Sequence, residues 1–170
     1  MTLTPERLRE VVSYNSETGE FRWLQNSSPY AKRHPYSAGD VAGARHSNGY
    51  LAFWVDRKKY LAHRVAFFWV HGRWPSADLD HVNRDRTDNR IVNLREASRV
   101  QNNGNSGIPN HNTSGIKGVR WHAARGKWVA QISINNRCKY LGIYADKEDA
   151  RVAYEKAARE YFGEFAARAA

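Results

Sequence analysis

The sequence predicts an α+β protein built in two unlike parts. Three observations carry this reading. Residues 113–144 alternate like strands, and a single capped amphipathic helix follows them. The first hundred residues mix short helical and strand-like segments with no common period. Between the two lies Gly-Asn-Ser-Gly-Ile-Pro-Asn-His-Asn-Thr-Ser, the most linker-like stretch of the 170-residue chain. We therefore expect a first domain at 1–105, a linker at 106–113 and a second domain at 114–170. The second should be a small three-stranded antiparallel sheet packed on one helix.

Residues 3–14 read as a short helix. Thr4 is a suitable cap, Pro5 fits the first helical position, and Leu8, Val11 and Val12 share a face. Residues 15–19 are turn chemistry, 20–24 a short aromatic strand and 25–39 a loop. Residues 49–55 and 59–61 form a hairpin, and 63–71 an apolar helix ended by Gly72 and Pro75. A strand at 77–82, a polar loop at 83–89 and a strand at 91–95 follow. Ser98 caps a helical segment through Asn102. In the second domain, strands are expected at 119–121, 127–134 and 139–144. Val129, Ile132 or Ile134 and Leu141 should face the helix. That helix, 147–162, starts at Asp146 with Asp149 at the capping-box position. Its stripe is Ala150, Ala153, Tyr154, Ala157 and Tyr161, and Gly163 stops it.

Composition narrows the function. One Cys excludes a disulfide framework and Cys-based zinc sites, which need thiols in sets. No apolar run approaches the ~20 residues of a membrane span, and the N-terminus lacks the pattern of a secretory signal. A cytoplasmic protein is expected, with no membrane and no small-molecule partner. The net charge of +10 points to a polyanion. It is unevenly placed: residues 113–145 carry six basic side chains and no acid, hence +6 of the total. A rigid sheet bearing that charge suits nucleic acid.

The chemistry concentrates between Asp80 and Asn103. Hydrolysis of a phosphodiester needs a base to activate water and a cation to stabilise charge on phosphate. His81 is the natural base near pH 7, and Asp80 is a hard oxygen donor suited to Mg²⁺. Neighbours on a strand face opposite ways, so the two share a site only at a strand end. The polar loop from Asn83 supplies one. Residues 85–96 superficially resemble a calcium loop but carry Arg90 where the sixth position requires Gly.

The run His63-Arg64-Val65-Ala66-Phe67-Phe68, then Val70-His71-Gly72-Arg73-Trp74-Pro75, Asp80-His81, Asn89-Arg90-Ile91-Val92-Asn93-Leu94-Arg95 and Asn102-Asn103 resembles the HNH endonuclease family, in particular its phage-borne and intron-borne homing type. Tyr14 to Trp23 and Gly39 to Gly43 resemble the leader of those proteins. The resemblance covers about 14–105. It implies a ββα-metal unit gripping one divalent ion, Mg²⁺ or Mn²⁺. It implies His81 as general base, Asp80 and Asn102 as metal ligands, and Asn93 as the residue that orients the base. Asn102 stands where the family name has His, and an amide oxygen suits Mg²⁺ better than imidazole. Arg64 and Arg95 are placed among the DNA contacts. His63 and Asn89 match family positions without an assigned role.

Ser114 to Arg120, Gly126 to Ile132, Tyr140 to Tyr144 and Asp149 to Ala158 resemble the APETALA-type domain of plant ethylene-response factors. The resemblance implies a sheet whose Arg and Trp side chains touch bases and phosphates. Arg120 carries over directly. His122, Gln131, Ser133 and Tyr140 stand where Arg, Glu, Arg and Trp are usual, so the plant target sequence does not carry over. Arg125, Lys127, Arg137 and Lys139 are expected on phosphates.

Together these predict a monomeric, metal-dependent endonuclease acting on double-stranded DNA with its own targeting module. If phage-encoded, it works in a host bacterium. The alternative is a DNA-binding regulator whose nuclease unit no longer cuts. Removing residues 106–170 is expected to cost site preference more than chemistry.

Overall fold

A computed structural model describes residues 3–27 and 35–166. Residues 28–34, inside the predicted loop, and 167–170 lie outside the described residues. The chain forms two compact units, residues 1–96 and 97–170.

In the first unit, helix α1 spans Pro5–Val11. Thr4 caps it by accepting the Arg7 N–H at 3.2 Å. The helix ends earlier than the spacing predicts. Val12–Tyr14 is instead strand β1, paired antiparallel with β2, Phe21–Trp23. Val-Ser-Tyr is a fair strand sequence, and the ladder to β2 outweighs helical spacing. Strands β3 (Ala44–Arg45), β4 (Leu51–Val55) and β5 (Lys58–Leu61) form a second sheet. The β4–β5 turn places Asp56 and Arg57 at positive φ, the backbone of a type I′ turn. Helix α2, Ala62–His71, buries Val65, Ala66 and Phe68 against Leu8, Val12, Phe21 and Phe53. Gly72 closes it in the left-handed conformation. Strands β6 (Asp78–His81) and β7 (Leu94–Ala97) pair as a two-stranded sheet. The predicted strand at 91–95 is therefore displaced. Ile91–Asn93 is a single 3-10 turn, because the Asn93 side chain is occupied in the loop below.

In the second unit, α3 spans Arg99–Asn105 behind a full capping box of Ser98 and Gln101. Strands β8 (Val119–His122), β9 (Lys127–Ile134) and β10 (Arg137–Tyr144) form one antiparallel sheet in the order β10-β9-β8. Helix α4, Lys147–Phe162, packs across it. Asp146 accepts the Glu148 N–H at 2.6 Å, so the cap bond runs to the second helical residue, not to Asp149. The stripe is also corrected. Phe162 is buried in the core with Ala158, whereas Tyr161 is 38% exposed. Helix α3 belongs to this core: Gly104 lies so close to Phe162 that a Cβ would stand 2.6 Å from the ring. The expected linker at 106–113 is tied down as well. Asn112 donates to Ile116 O and Ser114 Oγ to Val119 O, while the Lys117 ammonium donates to the carbonyls of Asn103, Gly104 and Ser106.

Candidate active site and nucleic-acid interface

Strand β6 ends at His81, and the loop after it is closed by side chains. Asn93 accepts the Asn83 N–H and donates to Asn83 Oδ1 and the Asp88 carbonyl, all at 2.9 Å. Asp88 in turn accepts from Asn83 at 2.7 Å and from Arg90. The Arg90 hydrogen bond is the main reason the Asp88 carboxyl is held down at about 2. Asn93 thus acts on the bend that follows His81. It makes these bonds to the loop and not to the imidazole.

The side chain beside His81 is Asn89, fully buried. Its Oδ1 lies 3.4 Å from His81 Nε2, and its Nδ2 donates to Thr87 O at 3.2 Å. The second bond fixes the amide so that oxygen faces the ring. An amide oxygen only accepts, so the contact favours the His81 tautomer with hydrogen on Nε2 and Nδ1 as the basic nitrogen. Burial lowers the His81 pKa, opposed by the Asn89 contact. His81 is therefore neutral at pH 7. Asn89 is itself anchored: Tyr14 donates to its carbonyl at 2.7 Å. The 15–19 turn also presses on it, since a Cβ on Gly19 would stand 2.7 Å from the Asn89 carbonyl carbon. The leader thus builds the site, a role that no local sequence signal announces.

Around His81 lie His63 edge-on at 5.1 Å and Tyr50 at 5.7 Å, with Arg86 over the Tyr50 ring. Asp80 is buried, and its Oδ2 accepts from Arg95 Nε at 3.0 Å and Nη2 at 2.9 Å. Arg95, expected among the DNA contacts, is thus paired with Asp80. Arg64, on α2, donates to Pro75 O. Asn102 lies on α3, in the second unit. Among the described residues no group of three His, Cys, Asp or Glu side chains gathers as a metal cage. The Asp80 carboxylate, in the first unit, and the Asn102 amide, in the second, each carry the kind of oxygen a hard cation takes. Asp80 also needs a positive charge, which Arg95 supplies here.

The sheet register sorts the remaining residues. Directly opposed residues share a face. Arg120 pairs with Val129, His122 with Lys127, and Tyr140 with Gln131. Along β9, Lys127, Val129, Gln131 and Ser133 alternate onto the same side. So Arg120, His122, Lys127, Gln131, Ser133 and Tyr140 gather on the face away from α4. Val129 is buried as expected, at 3% exposure, but its register with Arg120 puts it on this side of the sheet and not against α4; Ala130 and Ile132 face the helix. Lys139 and Arg137 pair with Ile132 and Ile134 and fall on the helix side. Lys139, expected on phosphate, donates instead to the Tyr161 hydroxyl of α4. Arg125 sits exposed in the 3-10 turn Ala123–Arg125.

Residues 60–103 match the HNH endonuclease family, and residues 114–164 match the AP2 domain. The chain is 44% identical over 52 residues to an AP2-like ethylene-responsive transcription factor of Arabidopsis thaliana, covering 29% of this chain and 15% of that protein. It is 32% identical over 88 residues to the ethylene-responsive transcription factor WRI1 of the same plant, covering 51% and 19%. Protein 3.8 of Escherichia phage T7 is 30% identical over 59 residues, 35% of this chain and 49% of that protein. The chain thus spans less than a fifth of either plant relative and about half of the phage one. The stretch matched by the HNH family includes His63, Asp80, His81 and Asn102, and the stretch matched by the AP2 domain includes the whole sheet face away from α4. Among the described residues no helix is long and apolar enough to cross a membrane.

Proposed function

We propose that this protein is a site-directed DNA endonuclease of the homing type. The observation that carries the reading is His81. It sits at a strand end beside Asp80, held neutral by burial and oriented by Asn89, in the same chain as a basic sheet face. His81 takes a proton from water as the water oxygen bonds to phosphorus. The bond from phosphorus to the leaving sugar oxygen breaks, and that oxygen is protonated from solvent. Asp80 and Asn102 would hold the divalent cation, Mg²⁺ or Mn²⁺. When bound, it supplies charge stabilisation to the phosphate and leaving oxygen. Asn93 and Asn89 keep the loop and ring in place. Arg120, His122, Lys127, Gln131, Ser133 and Tyr140 lie in the major groove of double-stranded DNA. The protein works as a monomer in the cytoplasm, that of a host bacterium if it is phage-encoded.

The test is nicking of a plasmid carrying the bound site. With Mg²⁺ or Mn²⁺ the protein nicks; EDTA or His81→Ala abolishes nicking and leaves binding intact. Binding without cleavage under every divalent ion would establish the other reading, a DNA-binding regulator. The Asp80–Arg95 pair favours that outcome if it cannot open.

A further inference from the structure

An open groove of about 850 Å³ runs through the second unit between α3, residues 106–113 and the β8–β9 edge of the sheet. We propose that this groove carries the phosphate backbone of the DNA strand leaving the reading face, with Arg99 and His111 as its contacts. This rests on the DNA-binding reading above.

Charge, continuity and preparation support it. No Asp or Glu lines the groove, while Arg99, His111, Lys117 and Arg120 do. Arg99 and Arg120 are exposed, and among the described residues neither is in an ion pair. Such cations are available to a polyanion without first breaking a bond. The groove also continues the reading face. Arg120, Gln131 and Ser133 line both, so a strand crossing the sheet past Ser133 meets the groove without a gap. The preparation lies in Lys117. The last carbonyls of α3 carry partial negative charge that would repel phosphate. The Lys117 ammonium donates to the carbonyls of Asn103, Gly104 and Ser106 and so neutralises that wall. Arg99 and His111 lie outside the AP2 match at 114–164, so the surface extends beyond the domain's own sheet.

The test uses the full chain in EDTA with a fluorescent mixed-sequence duplex, measuring Kd by anisotropy across salt concentrations. Both groove residues are surface groups, and unchanged circular dichroism and melting confirm that Arg99→Gln and His111→Gln fold. Arg99→Gln should weaken binding several-fold at low salt and reduce the slope of log K against log salt by about one. The ratio of affinities for different duplex sequences should stay constant, since phosphate contacts carry no sequence information. His111→Gln should weaken binding in the same sequence-independent way. If Arg120→Gln weakens binding but both groove variants match wild type in Kd and slope, the groove proposal is overturned and the reading face stands. If the wild type binds no duplex, both fall.

Discussion

His63 is a buried imidazole whose Nδ1 finds no hydrogen-bond partner among the described residues. Burial, with repulsion from His81 and Arg64 added, pushes its pKa down to about 3 from an ordinary 6.5. In the unfolded chain the ring takes a proton near 6.5; in the folded chain it refuses one until near 3. Between those values the unfolded state holds the extra proton. Stability is therefore full above pH 6.5 and falls as pH drops below it. His63 alone should cost about 2 kcal/mol by pH 5, at ~1.4 kcal/mol per pH unit. Urea melts at pH 7.5 and 5 would read this, and His63→Leu should flatten the fall; an equal fall in both proteins would place the loss elsewhere. The same burial acts on His81, whose pKa also lies below 6.5. Nicking should thus hold steady above pH 6.5 and decline only below it. Asn89→Ala should cut the single-turnover rate about tenfold or more while leaving duplex affinity unchanged, because it frees the base without touching the reading face. Asp80 and His81 were legible in the sequence because their neighbourhood is contiguous. Asn89 was visible as a family position with no role attached; its proximity to His81 comes from the folded loop.

The elements that matter most to the site are those that local pattern describes least well. The turn at 15–19 is plain turn chemistry, yet its Gly19 approaches the Asn89–Arg90 backbone at positive φ. A Cβ there meets the Arg90 nitrogen at 2.5 Å. Gly19→Ala should cost more than about 1 kcal/mol, combining a strained φ with a backbone clash. It should also slow nicking by displacing Asn89. A melt paired with a nicking assay checks both, and an unchanged rate would show that the leader only stabilises the fold. Helix α3 gives the second case. Its capping box was half visible in Ser98, and its start was predictable. Its destination was not: seven residues are too few to hold a helix alone, so packing on Phe162 decides where it belongs. Likewise the period of α4 announced a stripe, but contact with the sheet and α3 selected Phe162 over Tyr161.

On the scale of the whole molecule, the compact units divide at 96–97, while the family matches end and begin at 103 and 114. The last part of the HNH segment, α3 with Asn102, folds with the AP2 domain. Removing residues 106–170 therefore should not spare chemistry, as the sequence alone suggested. A chain ending at 105 loses the core against which α3 packs, and should fail to nick any DNA despite keeping Asp80, His81 and Asn93. Plasmid nicking by that truncated chain at the wild-type rate would refute the dependence. The sequence by itself determined the two-part α+β plan, the basic sheet, the strand-end His81 and the exclusion of thiol sites. Each rests on period, charge or residue type, which are local properties of the chain. Only the tertiary structure decided that Asn89 faces His81, that Arg95 neutralises Asp80, that Lys139 turns to α4 and that α3 joins the second core. Those are contacts between residues distant in sequence or on a chosen side of a strand. Packing and register set them, and neither is written in any single segment.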